Sequence, residues 1–348
     1  PPLVCVPTTY NIITDQELAG HGFNVMIHAN HLLRASYKAM EEAAVSILAN
    51  DRSHEVEAIC APTSTIFQVV GFNRVKELDR QYDSLQRFSV IIPAAGKDLV
   101  FSESPKSMIE VGSQTILDHQ VERLRKAGLT NNNVHVVRGH EGGKFTRTDV
   151  DYLDNESYLY TSSAYSLFCA EAAMTDGFLL LYSDILFDEG LVQRLLETEG
   201  DVVLLLDKTY RYHVHDVNKR LDLALAERND SSHPRNLTVD SLLNISQIGK
   251  QTPLQENAYE FVGIGFFSER GAKLLRSVYR DAQARNPSPF HEADGFNQAG
   301  FVDIIQEMID QGHRVSGLEV SNGWIEIHER IDVEQAEKEL HIARPSRS

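Results

Sequence analysis

The feature that most constrains the fold is a regular alternation of apolar strands and amphipathic helices that starts at Ser89. The run 89–93 predicts a strand, and a helix over 115–126 carries Leu117, Val121 and Leu124 on one face. The predicted elements that follow are 134–137, 163–174, 178–182, 189–197 and 202–206. Such alternation indicates an α/β fold with a mostly parallel sheet and helices on both faces.

Beyond this alternation the pattern changes. Residues 210–249 are polar with short β-like pieces, which predicts an insertion over a sheet edge. The predicted elements after it are a strand over 259–267, helices over 269–284 and 301–311, strands over 315–318 and 324–327, and a helix over 333–340. The α/β domain is therefore expected to span 89–341, with 342–348 as a frayed tail.

The first 71 residues read differently from the rest. Strands are predicted over 4–6 and 23–27, with a short helix over 14–20. A long amphipathic helix begins near His31, with Asn30 as its N-cap, and its apolar face carries Leu33, Tyr37, Met40, Ala44 and Ile47. Two short βα units cannot bury a core alone, so their apolar faces favour packing on another surface, and a homodimer is expected. Residues 72–88 predict a charged helical linker.

Charge and cysteine content limit the function classes. The net charge of −17 disfavours nucleic-acid and anionic-membrane partners. Cys5, Cys60 and Cys169 have no CxxC spacing, which argues against a disulfide scaffold or a zinc site and favours the cytoplasm. No apolar run is long enough to span a membrane, and residues 1–10 lack a signal-peptide layout. A cytoplasmic enzyme is expected, in which lysines and a divalent cation offset the acidic field around any anionic ligand.

The loop after the first strand of the α/β domain is a candidate phosphate site. Small residues at Ala94, Ala95 and Gly96 allow main-chain N–H groups to approach a nucleotide closely. Lys97 and Lys106 add two cations beyond the carboxyl end of a strand, where open α/β sheets bind ligands. The GxxxxGK[ST] phosphate loop does not fit, and an ordinary βα loop with two surface lysines is the alternative.

Two acidic residues are candidates for binding Mg²⁺. Asp184 follows the apolar strand 178–182, and Glu326 lies in the late strand 324–327. The alternatives are a helix N-cap for Asp184 and a solvated strand position for Glu326. His213, His215 and His233 lack the spacing of a helical metal motif and predict a solvated loop.

The order of these motifs resembles the nucleotidyltransferase superfamily. The resemblance runs from the loop through PKSMIEVG, VVRGH, SAYSL and SDILF to GWIEI, and it is strongest to cytidylyltransferases that act on phosphocholine and phosphonates. It implies a Rossmann-like nucleotidyltransferase domain with a mixed, mostly parallel sheet, with CTP as a substrate and Mg²⁺ as the cofactor. Two departures stand out: the usual GxG(T/S)R loop is shortened without its Arg, and Glu326 stands where Asp is commoner.

The resemblance also implies roles for single residues. Ala94, Ala95, Gly96 and Lys97 would hold the nucleotide. The catalytic residues would be Lys97, which contacts the phosphates, and Lys106, which neutralises charge at the α-phosphate. Asp184 with Glu326 would bind Mg²⁺. The candidates for the cytosine side are Ser162, Ser163 and Tyr165, with plain core as the alternative for Tyr165. Arg138 would reach substrate or phosphate, or form a surface ion pair. The candidates for the acceptor's ammonium are Glu260, Asp294 and Asp303, each of which could equally be a solvated or capping acid.

The first 71 residues bear on the substrate. PTTYNIIT and IHANHLLRAS resemble the C-terminal end of phosphoenolpyruvate mutase, which implies a partial α/β-barrel tail and a link to phosphonate biosynthesis. No mutase activity is expected, because the acidic metal-binding strands of that family are absent. The expected reaction joins CTP and 2-aminoethylphosphonate. The alternatives are 2-hydroxyethylphosphonate or phosphocholine as acceptor, a sugar 1-phosphate, and a non-catalytic scaffold or binding protein.

Overall fold

The structure is a computed structural model that describes residues 1–71, 88–98, 100–129, 133–212, 220–228 and 242–339. The predicted linker helix over 72–88 therefore lies almost wholly outside the described residues, as do His213, His215, His233 and the tail 342–348. The chain divides into two compact units, Pro1–Asp79 and Arg80–Ser348. None of the described helices is long and apolar enough to cross a membrane.

The first unit contains two parallel strands and three helices among its described residues. These are β1 (Leu3–Cys5), α1 (Asp15–Gly20), β2 (Phe23–Met26), α2 (His31–Asn50), a 3-10 helix (His54–Val56) and α3 (Thr63–Val69). Thr14 begins α1 with a capping box completed by Glu17. The predicted N-cap of α2 is wrong in its chemistry, because Asn30 adopts a left-handed conformation and makes no side-chain cap bond.

The second unit carries the predicted alternation. Its strands are β3 (Ser89–Ala94), β4 (Glu110–Val111), β5 (Gln114–Thr115), β6 (Val134–Arg138), β7 (Asp151–Asp154), β8 (Phe178–Leu181), β9 (Ile185–Phe187), β10 (Val202–Asp207), β11 (Leu223–Arg228), β12 (Leu243–Gly249), β13 (Ala258–Phe267), β14 (Ser316–Val320) and β15 (Trp324–Glu326). Its helices are α4 (Ile116–Lys126), α5 (Ser163–Phe168), α6 (Glu189–Leu196), α7 (Glu269–Arg285), α8 (Phe301–Asp310) and α9 (Arg330–Glu339). Its 3-10 helices are Lys106–Met108, Gly142–Lys144, Glu171–Met174, Tyr210–Tyr212 and Phe296–Gln298.

Among the described residues of this unit, nine strands form a mixed sheet in the order β10-β14-β12-β11-β13-β8-β3-β6-β7, which confirms the predicted α/β class with a mixed sheet. Strands β8, β3, β6 and β7 pair in parallel, as do β10 and β14. The remaining pairings of the sheet are antiparallel, and β13 also pairs with β10. Two-stranded sheets β15-β9 and β4-β5 lie beside it.

Hydrophobic cores cover both faces of the sheet. Along β3, Val90 and Ile92 join one cluster and Ile91 joins the other, because successive strand residues point to opposite faces. The predicted face of α4 is buried in the first cluster through Leu117 and Leu124. The carboxyl ends of β3 and β8 are therefore held by packing on both sides, which gives the loops beyond them a rigid base.

Two predictions about the elements are wrong. The helix expected over 163–174 ends at Phe168 and continues as the 3-10 helix Glu171–Met174. The segment expected to lie over a sheet edge instead supplies β11 and β12 to the sheet between β13 and β14. Their register is set by long-range antiparallel pairing with β13 and β14, which local sequence does not encode.

Candidate active site

The centre of the candidate site is a buried lysine between two carboxylates. Lys106 opens a 3-10 helix directly after Pro105. Its Nζ lies 3.1 Å from Asp184 Oδ2 and 3.4 Å from Asp98 Oδ2. All three side chains are mostly covered, with 15% of Lys106, 17% of Asp98 and 18% of Asp184 exposed. The structure thus brings together Lys106 and Asp184, which the sequence identified separately.

Asp184 lies in a turn that is held from two sides. It follows β8 and precedes β9, and its carbonyl accepts a hydrogen bond from Ile327 N at 2.8 Å. On the other side, the buried Gln120 of α4 donates through Nε2 to the carbonyls of Tyr182, at 2.8 Å, and Ile185, at 2.7 Å. Gln120 therefore fixes the main chain on both sides of Asp184, and the sequence analysis did not identify it.

Glu326 reaches the same place from the neighbouring strand. Strand β15 pairs with β9 so that Glu326 lies opposite Ile185, the residue after Asp184. Its side chain is 23% exposed. The two predicted metal ligands thus come from adjacent strands, although 142 residues separate them in the sequence, the difference between positions 326 and 184.

The charged groups of this cluster shift one another's pKa values. Burial alone would lower the pKa of Lys106, but Asp184, Asp98 and Glu326 together raise it above the ordinary value. Burial raises the pKa of Asp184, Glu326 adds to that rise, and Lys106 offsets it only in part. Partly buried carboxylates that influence each other's charge are costly, and a nearby cation relieves that cost.

The carboxylates of Asp184 and Glu326 suit a hard cation that takes its remaining ligands from the substrate. Mg²⁺ is commonly bound by one or two carboxylates together with substrate phosphates and water. Across the described parts of the chain, no three His, Cys, Asp or Glu side chains converge as a complete metal site. Asp184 and Glu326 therefore fit a shared site in which a phosphate completes the coordination.

Asp98 is a site residue that the sequence analysis missed. Its Oδ1 accepts hydrogen bonds from the main-chain N–H groups of Val100 and Phe101, both at 2.8 Å, and its Oδ2 faces Lys106. Burial would raise its pKa, but the Phe101 amide and Lys106 bring it below the ordinary value. An Asp two residues beyond Gly96, in the same loop as the lysines, was the available signal.

The small-residue loop is tied closely to the segment after β6. Ala94 and Ala95 are buried, whereas Gly96 and Lys97 are exposed. His140 N donates to the Ala95 carbonyl at 3.0 Å. A Cβ added to Gly139 would lie 2.8 Å from that carbonyl oxygen, so only glycine fits there. The structure does not bring Lys97 into the Lys106 cluster.

The predicted cytosine-side residues lie at the start of α5. Ser162 N donates to the Asn297 carbonyl at 3.2 Å, and Ser163 Oγ accepts from Phe301 N at 2.9 Å. Tyr165 is half-buried and lies close enough to Tyr279 to influence its pKa. The Ser163 hydroxyl hydrogen remains available to a ligand, while its oxygen ties α5 to α8.

Arg138 is engaged in the surface ion pair that the sequence left as an alternative. Its Nε donates to Asp154 Oδ1 at 2.7 Å and its Nη2 to Asp154 Oδ2 at 3.3 Å. Its guanidinium also lies 5.0 Å from the centre of the Tyr152 ring. At the carboxyl end of β6, the Arg138 guanidinium is therefore held by Asp154.

The three predicted ammonium-binding acids have different surroundings. Asp303 caps α8, with Oδ2 accepting from Gly300 N at 2.7 Å and Oδ1 from Glu292 N at 3.1 Å. Glu260 is buried on β13, where strand alternation directs it away from the face that carries Phe261. Asp294 is exposed. The structure does not bring these three acids together.

Comparison with known proteins agrees with this architecture. Residues 90–242 match the family model of the MobA-like NTP transferase domain. The chain is 21% identical over 248 residues to the CTP:phosphoglutamine cytidylyltransferase of Campylobacter jejuni, a match that covers 68% of this chain and 92% of that protein. It is similar in fold to the CTP:phosphocholine cytidylyltransferase of Streptococcus pneumoniae, with a TM-score of 0.52, 15% identity, and coverage of 73% of this chain and 99% of that one.

A shorter match concerns a different enzyme class. The chain is 31% identical over 81 residues to the phosphoenolpyruvate phosphomutase of Tetrahymena pyriformis. That match spans 23% of this chain and 27% of the relative's length. The family match covers less than half of this chain, and the similarity to the solved cytidylyltransferase concerns the α/β fold with its mixed sheet.

Proposed function

We propose that this chain transfers the cytidylyl group of CTP to 2-aminoethylphosphonate, giving CMP-2-aminoethylphosphonate and pyrophosphate. One observation carries the proposal: Lys106 is held between Asp98 and Asp184 beside the strand that bears Glu326. A buried cation next to two facing carboxylates matches what nucleotidyl transfer requires, namely charge neutralisation at a phosphate and a metal ion on it. The similarity to cytidylyltransferases supports CTP as the donor.

The reaction is an in-line displacement at the α-phosphorus. A phosphonate oxygen of the acceptor forms the new O–P bond, the bond to the β-phosphate oxygen breaks, and the pyrophosphate carries away the electron pair. The attacking oxygen is ionised near neutral pH, so the chain need not supply a general base. Lys106 offers its charge and N–H donors to the α-phosphate oxygens, where negative charge is concentrated during displacement.

Asp184 and Glu326 would hold Mg²⁺, which when bound neutralises phosphate charge and orients the triphosphate. In that state Lys106 would exchange its contact with Asp184 for one with phosphate. Ala94, Ala95, Gly96 and Lys97 would line the triphosphate. Ser162, Ser163 and Tyr165 would border the base, and Ser163 retains a hydroxyl hydrogen to donate.

The choice of acceptor is supported by three similarities. The relative named for phosphoglutamine and the structure named for phosphocholine both have acceptors with a phosphate group and a nitrogen-bearing chain. The similarity to a phosphoenolpyruvate phosphomutase favours a phosphonate, the class of compound with a direct carbon–phosphorus bond. The competing acceptors are 2-hydroxyethylphosphonate and phosphocholine.

The deciding experiment supplies the full chain with CTP, Mg²⁺ and each acceptor in turn. Pyrophosphate release is measured, and the CMP adduct is identified by mass spectrometry. We expect the highest kcat/KM with 2-aminoethylphosphonate. A higher value with phosphocholine would replace the acceptor but not the chemistry. An intact fold that binds no CTP by calorimetry with Mg²⁺ would favour a non-catalytic binding protein instead.

Self-association is a further part of the proposal. No residue of α2 is buried, and Leu33, Tyr37 and Met40 are 70%, 65% and 69% exposed. Such an apolar helix face is typical of a surface that packs on a partner, and a second copy of the chain would provide one. Sedimentation velocity would test this: a monomer at all concentrations would contradict it.

A further inference from the structure

Asp222 is connected through Phe261 and Tyr182 to the turn that carries Asp184. It immediately precedes β11, and its carbonyl accepts a hydrogen bond from Phe261 N at 2.8 Å. The ring of Phe261 packs edge-on against that of Tyr182, with centroids 5.6 Å apart and planes at 79°. Tyr182 belongs to the turn that Gln120 holds in place beside Asp184. A continuous set of contacts thus links Asp222 to the candidate metal site.

One carboxylate oxygen of Asp222 lacks a hydrogen-bond donor among the described residues. This oxygen, Oδ1, is buried. Burial raises the pKa of Asp222 to about 6, Lys250 opposes the rise, and Glu326, Glu292 and Asp303 add to it. Buried polar atoms are nearly always paired, so an unpaired carboxylate oxygen beside a reaction site suggests that a ligand supplies the donor.

Other acids near Asp222 are already engaged with main-chain amides. Asp303 accepts from Gly300 N and Glu292 N. Glu292 accepts from Lys250 N at 2.8 Å and Gln251 N at 2.7 Å. These carboxylates therefore stabilise local structure, whereas Oδ1 of Asp222 accepts no hydrogen bond from the described residues.

The missing donor can be characterised by its chemistry. A primary ammonium carries a positive charge and three N–H donors, so it can pair with a carboxylate oxygen. A hydroxyl offers one uncharged donor, and a quaternary ammonium offers none. Tyr182, Phe261 and Phe301 pack together beside this position, with ring centroids 5.6 to 6.4 Å apart, and aromatic faces also attract cations. The charge and the donor requirement together favour the primary ammonium.

We propose that Asp222 binds the primary ammonium of the acceptor and thereby determines specificity for aminoalkyl phosphonates or phosphates. This inference rests on the proposed function and narrows its acceptor class. It excludes phosphocholine as the preferred acceptor, because a trimethylammonium would leave Asp222 Oδ1 without a donor. Aminoethylphosphonate and phosphoethanolamine both carry the primary ammonium, and phosphoethanolamine differs only by an ester oxygen between carbon and phosphorus.

The test compares acceptors in the full-length Asp222→Asn variant. At saturating CTP and Mg²⁺, kcat/KM for 2-aminoethylphosphonate should fall about 100-fold, as for truncating one partner of a buried charged pair. For 2-hydroxyethylphosphonate, kcat/KM should stay within about threefold of the native value, because that acceptor lacks the charge. The kcat/KM for phosphoethanolamine should fall in Asp222→Asn as it does for 2-aminoethylphosphonate. The ratio of the two kcat/KM values in the native protein identifies the preferred acceptor. Asp176→Asn, in an exposed acid with no assigned role, is the matched control and should leave kcat/KM for both acceptors unchanged.

Equal losses for both acceptors in Asp222→Asn would show a structural role and overturn the proposal. So would a native preference for phosphocholine. Calorimetric titration of 2-aminoethylphosphonate separates this proposal from the proposed function, because it requires no turnover. Binding that is lost in Asp222→Asn but kept in Asp176→Asn supports Asp222 even where cytidylyl transfer is not found. Binding equal in both variants, or absent from the native protein, contradicts it.

Discussion

The two units of the chain differ in how they bury apolar surface. In Pro1–Asp79, the buried hydrophobic residues among those described are Cys5, Leu18 and Val56, and α2 buries none of its twenty residues. In Arg80–Ser348, β8 and β10 are buried throughout their lengths between helices on both faces. A helix with one apolar stripe needs a partner surface, and the few elements of the first unit do not provide it.

This difference indicates where catalysis can reside. Charged groups can be held at fixed distances only by elements that are themselves packed, and Lys106, Asp98 and Asp184 are held by the second unit. The exposed side chains of α2 have no such support. Substitutions of the packed charged groups in the second unit should therefore change activity, and substitutions on α2 should change association alone.

The largest effect is expected from Asp184→Asn. The variant removes charge from the carboxylate that faces both Glu326 and Lys106, so kcat should fall about 10³-fold. Pyrophosphate release measured across Mg²⁺ concentrations checks this. Asp176→Asn, in an exposed acid of the same unit, is the control and should behave as the native protein. Full activity in Asp184→Asn would contradict the assignment of Asp184 as a Mg²⁺ ligand.

Lys106→Ala should be nearly as damaging. The loss of a cation that acts during displacement should lower kcat about 10²–10³-fold while CTP binding changes less. Single-turnover kinetics and calorimetry with CTP separate the two effects. Lys97→Ala provides the comparison, because Lys97 is exposed and should affect binding more than rate. An unchanged turnover in Lys106→Ala would contradict the assignment.

Gln120→Leu tests whether packed elements position the carboxylate. The variant leaves the carbonyls of Tyr182 and Ile185 without their donor, which should lower the free energy of unfolding by about 1–3 kcal/mol. The Asp184 turn should also loosen, so half-maximal activity should require more Mg²⁺. Gln193→Leu is the control, since the side-chain bond of Gln193 to the Lys126 carbonyl is exposed. A stability loss without any change in Mg²⁺ dependence would limit Gln120 to a structural role.

Asp222→Asn should stabilise the protein at alkaline pH. The pKa of Asp222 rises from its ordinary 3.8 to about 6 in the folded state, so the folded state holds the proton more tightly. The carboxylate therefore costs up to about 3 kcal/mol above pH 6, and that cost disappears as the pH falls through 6 toward 4. Thermal midpoints at pH 8 and pH 4 measure the difference between the variant and the native protein. An equal gain at both pH values would contradict the assignment of the charge to Asp222.

The smallest effect is expected from changes to α2. A Leu33→Glu and Tyr37→Glu double variant should leave kcat/KM within about twofold, because surface substitutions away from the site are usually mild. Sedimentation velocity should show less association than in the native protein. A large loss of activity with an unchanged oligomeric state would break the division of roles between the units.

The sequence by itself identified most helices of the α/β unit, several of its strands though not β7, β9, β11 or β12, and three of the charged residues at its centre. Apolar periodicity identified β3, β8 and β10, and the ends of these strands directed attention to Lys106 and Asp184. Glu326 followed from the resemblance to nucleotidyltransferases. These predictions were possible because alternation and strand ends are local features.

Only the tertiary structure decided which of these groups meet. The Lys106–Asp184 contact joins residues 78 positions apart, and the Gln120–Ile185 bond joins residues 65 apart. The structure also placed Asp98 beside Lys106, occupied Arg138 with Asp154, and inserted β11 and β12 into the sheet. Pairings of this kind depend on how distant segments pack, and the energies that select them are not encoded in any short stretch of sequence.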